Sequence, residues 1–137
     1  VQDLDLRSLT GTIAILAPHM DDEALACGGL IAKLPVKDRL HILYATDGMR
    51  SPAPIIPGRD EISPNLGKIR MRESVEAMKR LGVPEQNLHF LCLPEAELKK
   101  NIPALQESLR ERLASILPDV ILMPFRYDRH PDHLTVN

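Results

Sequence analysis

Four short apolar runs, Thr12–Ala17, Leu40–Ala45, Leu88–Leu93 and Val120–Phe125, most constrain what this chain can fold into. None alternates cleanly between apolar and polar residues, and each ends near a Pro or Gly, as strands buried on both faces do. Helical periodicity fills the intervals. Glu23–Leu34 carries apolar residues at 24, 25, 27, 30, 31 and 34, and Gly28–Gly29 inside it points to close contact with a neighbour. A second helix is predicted from Ser63 as N-cap, with Pro64 at its first position, to Leu81, where Gly82 stops it. Asn101 is the expected cap of a third. There Ile102, Leu105, Leu109, Leu113 and Ile116 follow at spacings of 3, 4, 4 and 3, one helical stripe.

The order β-α-β-α-β-α-β predicts a parallel sheet with right-handed crossovers, an α/β fold built as a three-layer α/β/α sandwich. A length of 137 residues suits one domain over the whole chain. The pattern breaks off at Val136–Asn137, where a further helix is due, so a domain truncated on its C-terminal side is expected. The longest irregular stretch, Asp47–Ile62, holds Pro52, Pro54 and Pro57 and reads as a loop on the substrate side.

Composition removes several function classes. A formal net charge of −2 gives no reason to expect nucleic acid or an anionic membrane surface as partner. No apolar run approaches the roughly 18 residues of a membrane span. With no Trp, two Tyr and two Phe, there is no platform on which single-stranded nucleic acid could stack. Cys27 and Cys92 stand apart without a CxxC, and read as two buried thiols of a cytoplasmic protein.

The chemistry lies where the first and fourth strands end. His19 and Asp22 stand three apart across a tight strand-to-helix turn, so an imidazole and a carboxylate converge on one point, a pair suited to zinc. Asp21 between them should point differently, near a metal without necessarily binding it. Glu23 falls in the first helical turn, where the macrodipole favours a negative charge. A third ligand must come from elsewhere, and "RYDRHPDH", Arg126 to His133, follows the fourth strand. With the strand order 3-2-1-4, the first and fourth strands are neighbours at the topological switch point. His19 and His133 then meet across 114 positions. His41 and His89 lie within strand patterns and are expected as packed or edge residues.

"APHMDDE" followed by Gly28–Gly29, "TDG" after the second strand, Arg70 and Glu73 as RxxE with a later "LGV", and the closing "HPDH" together resemble the LmbE/PIG-L-type deacetylases. The likeness runs from about Gly11 to the end, with Met20 standing where that family commonly has Pro. The resemblance implies a Rossmann-like fold, one zinc ion per chain, and removal of the acetyl group from an N-acetylglucosamine-type small molecule. It makes His19, Asp22 and His133 the zinc ligands, Asp21 the general base, and His130 the group that stabilises the oxyanion or protonates the leaving amine. Asp132 becomes the partner orienting His130, and Arg70 a substrate contact, against the plainer reading of a one-turn ion pair with Glu73. Asp47 reads as a turn former with Gly48. Asp128 is placed to hydrogen-bond a ligand histidine.

Two other classes compete. "HPDH" resembles part of the motif of dinuclear metallo-β-lactamase-type hydrolases, but no HxHxDH occurs. Receiver-type signalling domains also place paired acids after their first strand. They need a phospho-accepting Asp after the third, where "LCLPEAE" offers only Glu95 and Glu97. The first turn lacks the GxGxxG of a nucleotide-binding module.

Overall fold

The structure, a computed structural model, describes residues 9–50 and 65–137. Its strands are β1 (Ile13–Ala17), β2 (Leu40–Thr46), β3 (Leu88–Leu93) and β4 (Val120–Leu122). Its helices are α1 (Asp22–Lys33), α2 (Leu66–Arg80), α3 (Ile102–Ile116) and the short α4 (Pro131–Val136). The sheet has the order β3-β2-β1-β4 and every pairing is parallel, as the sequence predicts.

Two apolar layers sandwich this sheet. Ile13, Ile15 and Ala17 of β1 with Ile42 and Tyr44 of β2 pack on Ile31 of α1 and Met78 of α2. The alternate residues Ala14, Leu16, Leu43 and Ala45 face Leu105 of α3, Val136 of α4 and Leu98, which precedes α3. All five residues of β1 are therefore buried, which is why its sequence does not alternate.

Local chemistry sets the ends of these elements. Gly82 has φ +82° and its N–H bonds to Lys79 O, while Val83 N–H reaches Met78 O. This paired-bond cap needs a left-handed residue that only Gly adopts without cost, so α2 stops where expected. Lys37 closes α1 differently, its ammonium donating to the carbonyls of Ile31, Ala32 and Leu34 at 2.5, 3.3 and 2.7 Å.

Several expectations are corrected. β4 ends at Leu122, three residues before Phe125, because Pro124 has no N–H for a ladder and Met123 and Phe125 face outward. The Asn101 side chain does not cap α3 but donates to Glu97 O at 2.9 Å. Gly28 and Gly29 have open space where a Cβ would sit, so no close neighbour accounts for them. Cys27 is half-buried but Cys92 is exposed, and both thiols are free. Against β2, the register of β3 shifts between Tyr44 and Thr46, and Cys92 there takes φ +55°, a bulge that turns its side chain out of the core. Ser63, Pro64 and the loop beyond Arg50 lie outside the described residues.

Candidate metal centre and active site

The C-terminal edge of the sheet carries the site. After β1 the chain passes through Pro18 to Asp21, and two buried hydroxyls pin that turn. Thr46 Oγ1 donates to Pro18 O at 2.8 Å, and Ser74 Oγ of α2 donates to Met20 O at 3.1 Å. Asp22 Oδ2 accepts the His19 backbone N–H at 2.8 Å, which draws its carboxylate back over the turn.

His19 Nδ1 then lies 3.2 Å from Asp22 Oδ2, and His133 Nε2 of α4 is 3.3 Å from both Asp22 Oδ2 and His19 Nδ1. The three atoms form a nearly equilateral triangle. Tetrahedral zinc with bonds near 2.0–2.1 Å spaces its ligand atoms by about 3.3 Å, so the edges fit.

The outer nitrogens show why. His19 Nε2 sits 3.2 Å from Asp132 Oδ2, and His133 Nδ1 sits 3.0 Å from Asp128 Oδ2. An imidazole that donates its outer N–H to a carboxylate presents a lone pair at its inner nitrogen. In that tautomer two lone pairs and a carboxylate oxygen converge, an arrangement satisfied by a cation, or in its place by a proton on His19 Nδ1 shared with Asp22. Burial alone would lower the pKa of His19, but its hydrogen bonds to Asp22 and Asp132 outweigh burial and raise it. Asp22 is pushed up by burial, yet its bonds to the His19 side chain and backbone bring the net shift below the ordinary value. Both shifts mark a spot that favours positive charge.

His130 caps α4 and lies edge-on to His19, with ring centroids 4.7 Å apart. Its Nδ1 accepts the Asp132 backbone N–H at 3.2 Å, so its proton resides on Nε2. The Asp132 carboxylate is turned instead to His19 and to the backbone N–H groups of Ala96 and Leu98 at 2.7 and 3.3 Å. The link between Asp132 and His130 thus runs through the main chain. Asp128 serves twice, accepting the His130 N–H at 2.8 Å while it holds His133. That backbone bond and the contacts with His133 lower its pKa.

Asp21 is 56% exposed, and its Oδ1 lies 3.5 Å from Nη2 of Arg70. One ligand atom each from His19, Asp21 and Asp22 lies within 4.8 Å of the others, so Asp21 borders the triangle. Arg70 does not pair with Glu73. Its guanidinium is buried and reaches Glu95 at 3.3 Å and Gly48 O at 3.4 Å. Asp47 makes the expected turn, accepting from Met49 N–H at 3.1 Å, and also takes the Glu95 N–H.

Two further carboxylates are buried at this edge, where the sequence alone marks them as ordinary acids. Glu95 is 7% exposed and lies 3.8 Å from His19 Nε2. Glu23, in the first turn of α1, faces inward. It is 1% exposed, and burial pushes its pKa up to about 7. No local signal distinguishes either from a surface acid. A cavity of about 200 Å³ opens beside Asp22, Asp128 and His133, walled by Cys27, Met123 and Phe125.

A parallel α/β sandwich gathers two histidines and an aspartate at its switch point, with further acids around them, a donor set suited to a metal ion. The chain belongs to the PIG-L family: the family described as "PIG-L: GlcNAc-PI de-N-acetylase" matches residues 14–137. It is 28% identical over 130 residues to the diacetylchitobiose deacetylase of Thermococcus kodakarensis (strain ATCC BAA-918 / JCM 12380 / KOD1), which covers 88% of this chain and 44% of that protein. The crystal structure of the A40926 pseudoaglycone deacetylase superposes with a TM-score of 0.71 at 20% identity, over 91% of this chain and 55% of that one, and shares the fold. The chain therefore spans about half the length of each. Among the described residues no helix is long and apolar enough to cross a membrane.

Proposed function

We propose that this chain carries the catalytic core of a zinc-dependent N-deacetylase acting on an N-acetylglucosamine-type sugar, with release of acetate and a free amine. The observation that carries the reading is the triangle of His19 Nδ1, Asp22 Oδ2 and His133 Nε2 with edges of 3.2–3.3 Å. Membership of a de-N-acetylase family supports the reaction class, and the diacetylchitobiose deacetylase suggests N,N′-diacetylchitobiose as the first substrate to try.

His19, Asp22 and His133 would hold one zinc ion. Bound zinc supplies Lewis acidity, which polarises an amide carbonyl and acidifies water. The residues do the rest. Asp21, exposed at the rim of the triangle, takes the proton of the attacking water at its carboxylate. His130, with its proton on Nε2, donates a hydrogen bond to the oxyanion that develops on the acetamide. The departing amine leaves with the proton that Asp21 gained, while His130, whose Nδ1 accepts the Asp132 N–H, keeps its one proton on Nε2 for the oxyanion. Asp132 and Asp128 keep the two ligand imidazoles in the tautomer that points a lone pair inward.

Zinc content measured on the purified protein beside His133→Ala tests the centre. One zinc per chain, lost in the variant, is the expected result; no zinc, or a variant that retains it, overturns the ligand set. Acetate release from N,N′-diacetylchitobiose tests the reaction. Asp21→Asn should keep its zinc and lose about 10²–10⁴ in kcat; undiminished turnover removes Asp21 as the base.

A further inference from the structure

His41 and His89 each follow the first residue of their strands, at the edge of the sheet opposite the proposed active site. His89 lies level with Leu43 and His41 stands two residues before Leu43, so both side chains point to the α3 face. The register brings Nδ1 of His41 to 3.1 Å from Nε2 of His89, with the rings inclined by only 17°. Two imidazole nitrogens that share a metal at 2.0–2.1 Å stand about 2.9–3.4 Å apart, so the pair already has the bite of a chelate. Burial holds both pKa values below the ordinary histidine value, so at pH 7 both rings are neutral and neither must shed a proton to bind. Without a metal, one ring donates its N–H to the other. To bind, that ring moves its proton to its outer nitrogen, for which the described residues provide no hydrogen-bond partner. Both rings are only half-buried, which leaves water to fill the remaining coordination positions.

We propose that His41 and His89 form a second, weaker site for a divalent metal that favours imidazole, zinc or copper, and that the bound ion clips β2 to β3. The site shares no residue with His19, Asp22 and His133 and does not depend on the deacetylation. Two features limit its affinity. Neither ring has the carboxylate that orients His19 and His133, a support whose loss typically weakens a site about 10–100-fold. Arg112 of α3 also stands close enough to His89 to repel a cation there. The pair therefore fills only when zinc exceeds one equivalent, after the tighter centre is occupied.

Equilibrium dialysis of the protein carrying its first zinc, against rising zinc, tests the site. A second zinc per chain should bind at least about 100-fold more weakly than the first. It should be lost in His89→Thr and in His41→Gln, and held more tightly in Arg112→Gln. Excess zinc should raise the urea midpoint of the wild type and leave that of His89→Thr unchanged, since an ion that binds only the folded chain stabilises it by mass action. Nitrogen NMR of the histidine rings identifies the ligands directly: with the second equivalent, Nδ1 of His41 and Nε2 of His89 should shift. Saturation at the first zinc overturns the proposal, as does a second zinc that both variants retain or one that leaves these two resonances in place. If His89→Thr and His41→Gln do not fold, the NMR titration of the wild type decides by itself. Failure of the proposed catalytic centre is read separately, as loss of the first, tight zinc.

Discussion

The Asp132 carboxylate lies 3.2 Å from Nε2 of His19, a residue 113 positions away. It is 1% exposed and also accepts from the N–H groups of Ala96 and Leu98. One side chain therefore ties the α4 motif to both the β1 turn and the segment after β3. Asp128 performs the parallel task for His133 with fewer attachments.

These two acids separate a metal effect from a folding effect. Asp128→Ala should weaken zinc binding about 10–100-fold while the urea midpoint of the zinc-free protein barely moves, because the His130 N–H that Asp128 accepts is exposed and water replaces the carboxylate there. Asp132→Ala should weaken zinc comparably and also destabilise the zinc-free protein, because two backbone N–H groups lose their acceptor at about 1–3 kcal/mol each. Zinc titration against a chelating indicator, beside urea unfolding of the zinc-free proteins, checks both.

Gly67 lies in the first turn of α2, and a Cβ there would meet Asp47 O at 2.3 Å and Met49 Sδ at 3.0 Å. Helix propensity favours Ala over Gly by about 1 kcal/mol, but contact with a backbone carbonyl cannot be relieved by a rotamer change. Gly67→Ala is expected to destabilise by about 1–3 kcal/mol, and a raised urea midpoint would contradict that close approach.

Lys37 bonds three carbonyls at the end of α1. Lys37→Met keeps the aliphatic stem and removes the charge, so it should cost about 1–2 kcal/mol, more than a surface lysine warrants. Urea unfolding of the variant measures it, and the exposed Lys33→Met serves as the control expected near zero.

His41 and His89 stack with ring centroids 5.4 Å apart, and Nδ1 of one lies 3.1 Å from Nε2 of the other. Burial lowers both pKa values, and for His89 the neighbouring His41 and Arg112 lower it further. The fold thus prefers both rings neutral. Their contribution is complete above the ordinary histidine value of about 6.5 and is lost as pH falls through the depressed folded values. Between pH 7 and pH 5 the wild type should lose more stability than His89→Thr, and equal slopes of urea midpoint against pH would refute the coupling.

The sheet order and the meeting of His19 with His133 were legible because both follow from strand alternation and the position of the switch point. Buried roles of single acids were not. Glu23 in a first helical turn reads as a dipole partner, and only the fold turns it inward. Glu95 acquires Arg70 through the placement of α2 beside β3, which no spacing encodes. The Asp132 carboxylate lies two residues from His130 yet serves His19, since α4 turns it away from its sequence neighbour. The outward turn of Cys92 depends on a bulge that an apolar run does not announce.

β4 pairs with β1 through only three residues, Ile13↔Val120 to Ile15↔Leu122. An ion shared by His19, Asp22 and His133 would act as a clasp just beyond that short ladder, closing a ring of more than a hundred residues. Letting go of the ion and letting go of the last strand would then be one event. Zinc affinity would then gauge whether β4 and α4 are docked, and a chain cut before His133 would keep most of its sheet but have nothing to fasten.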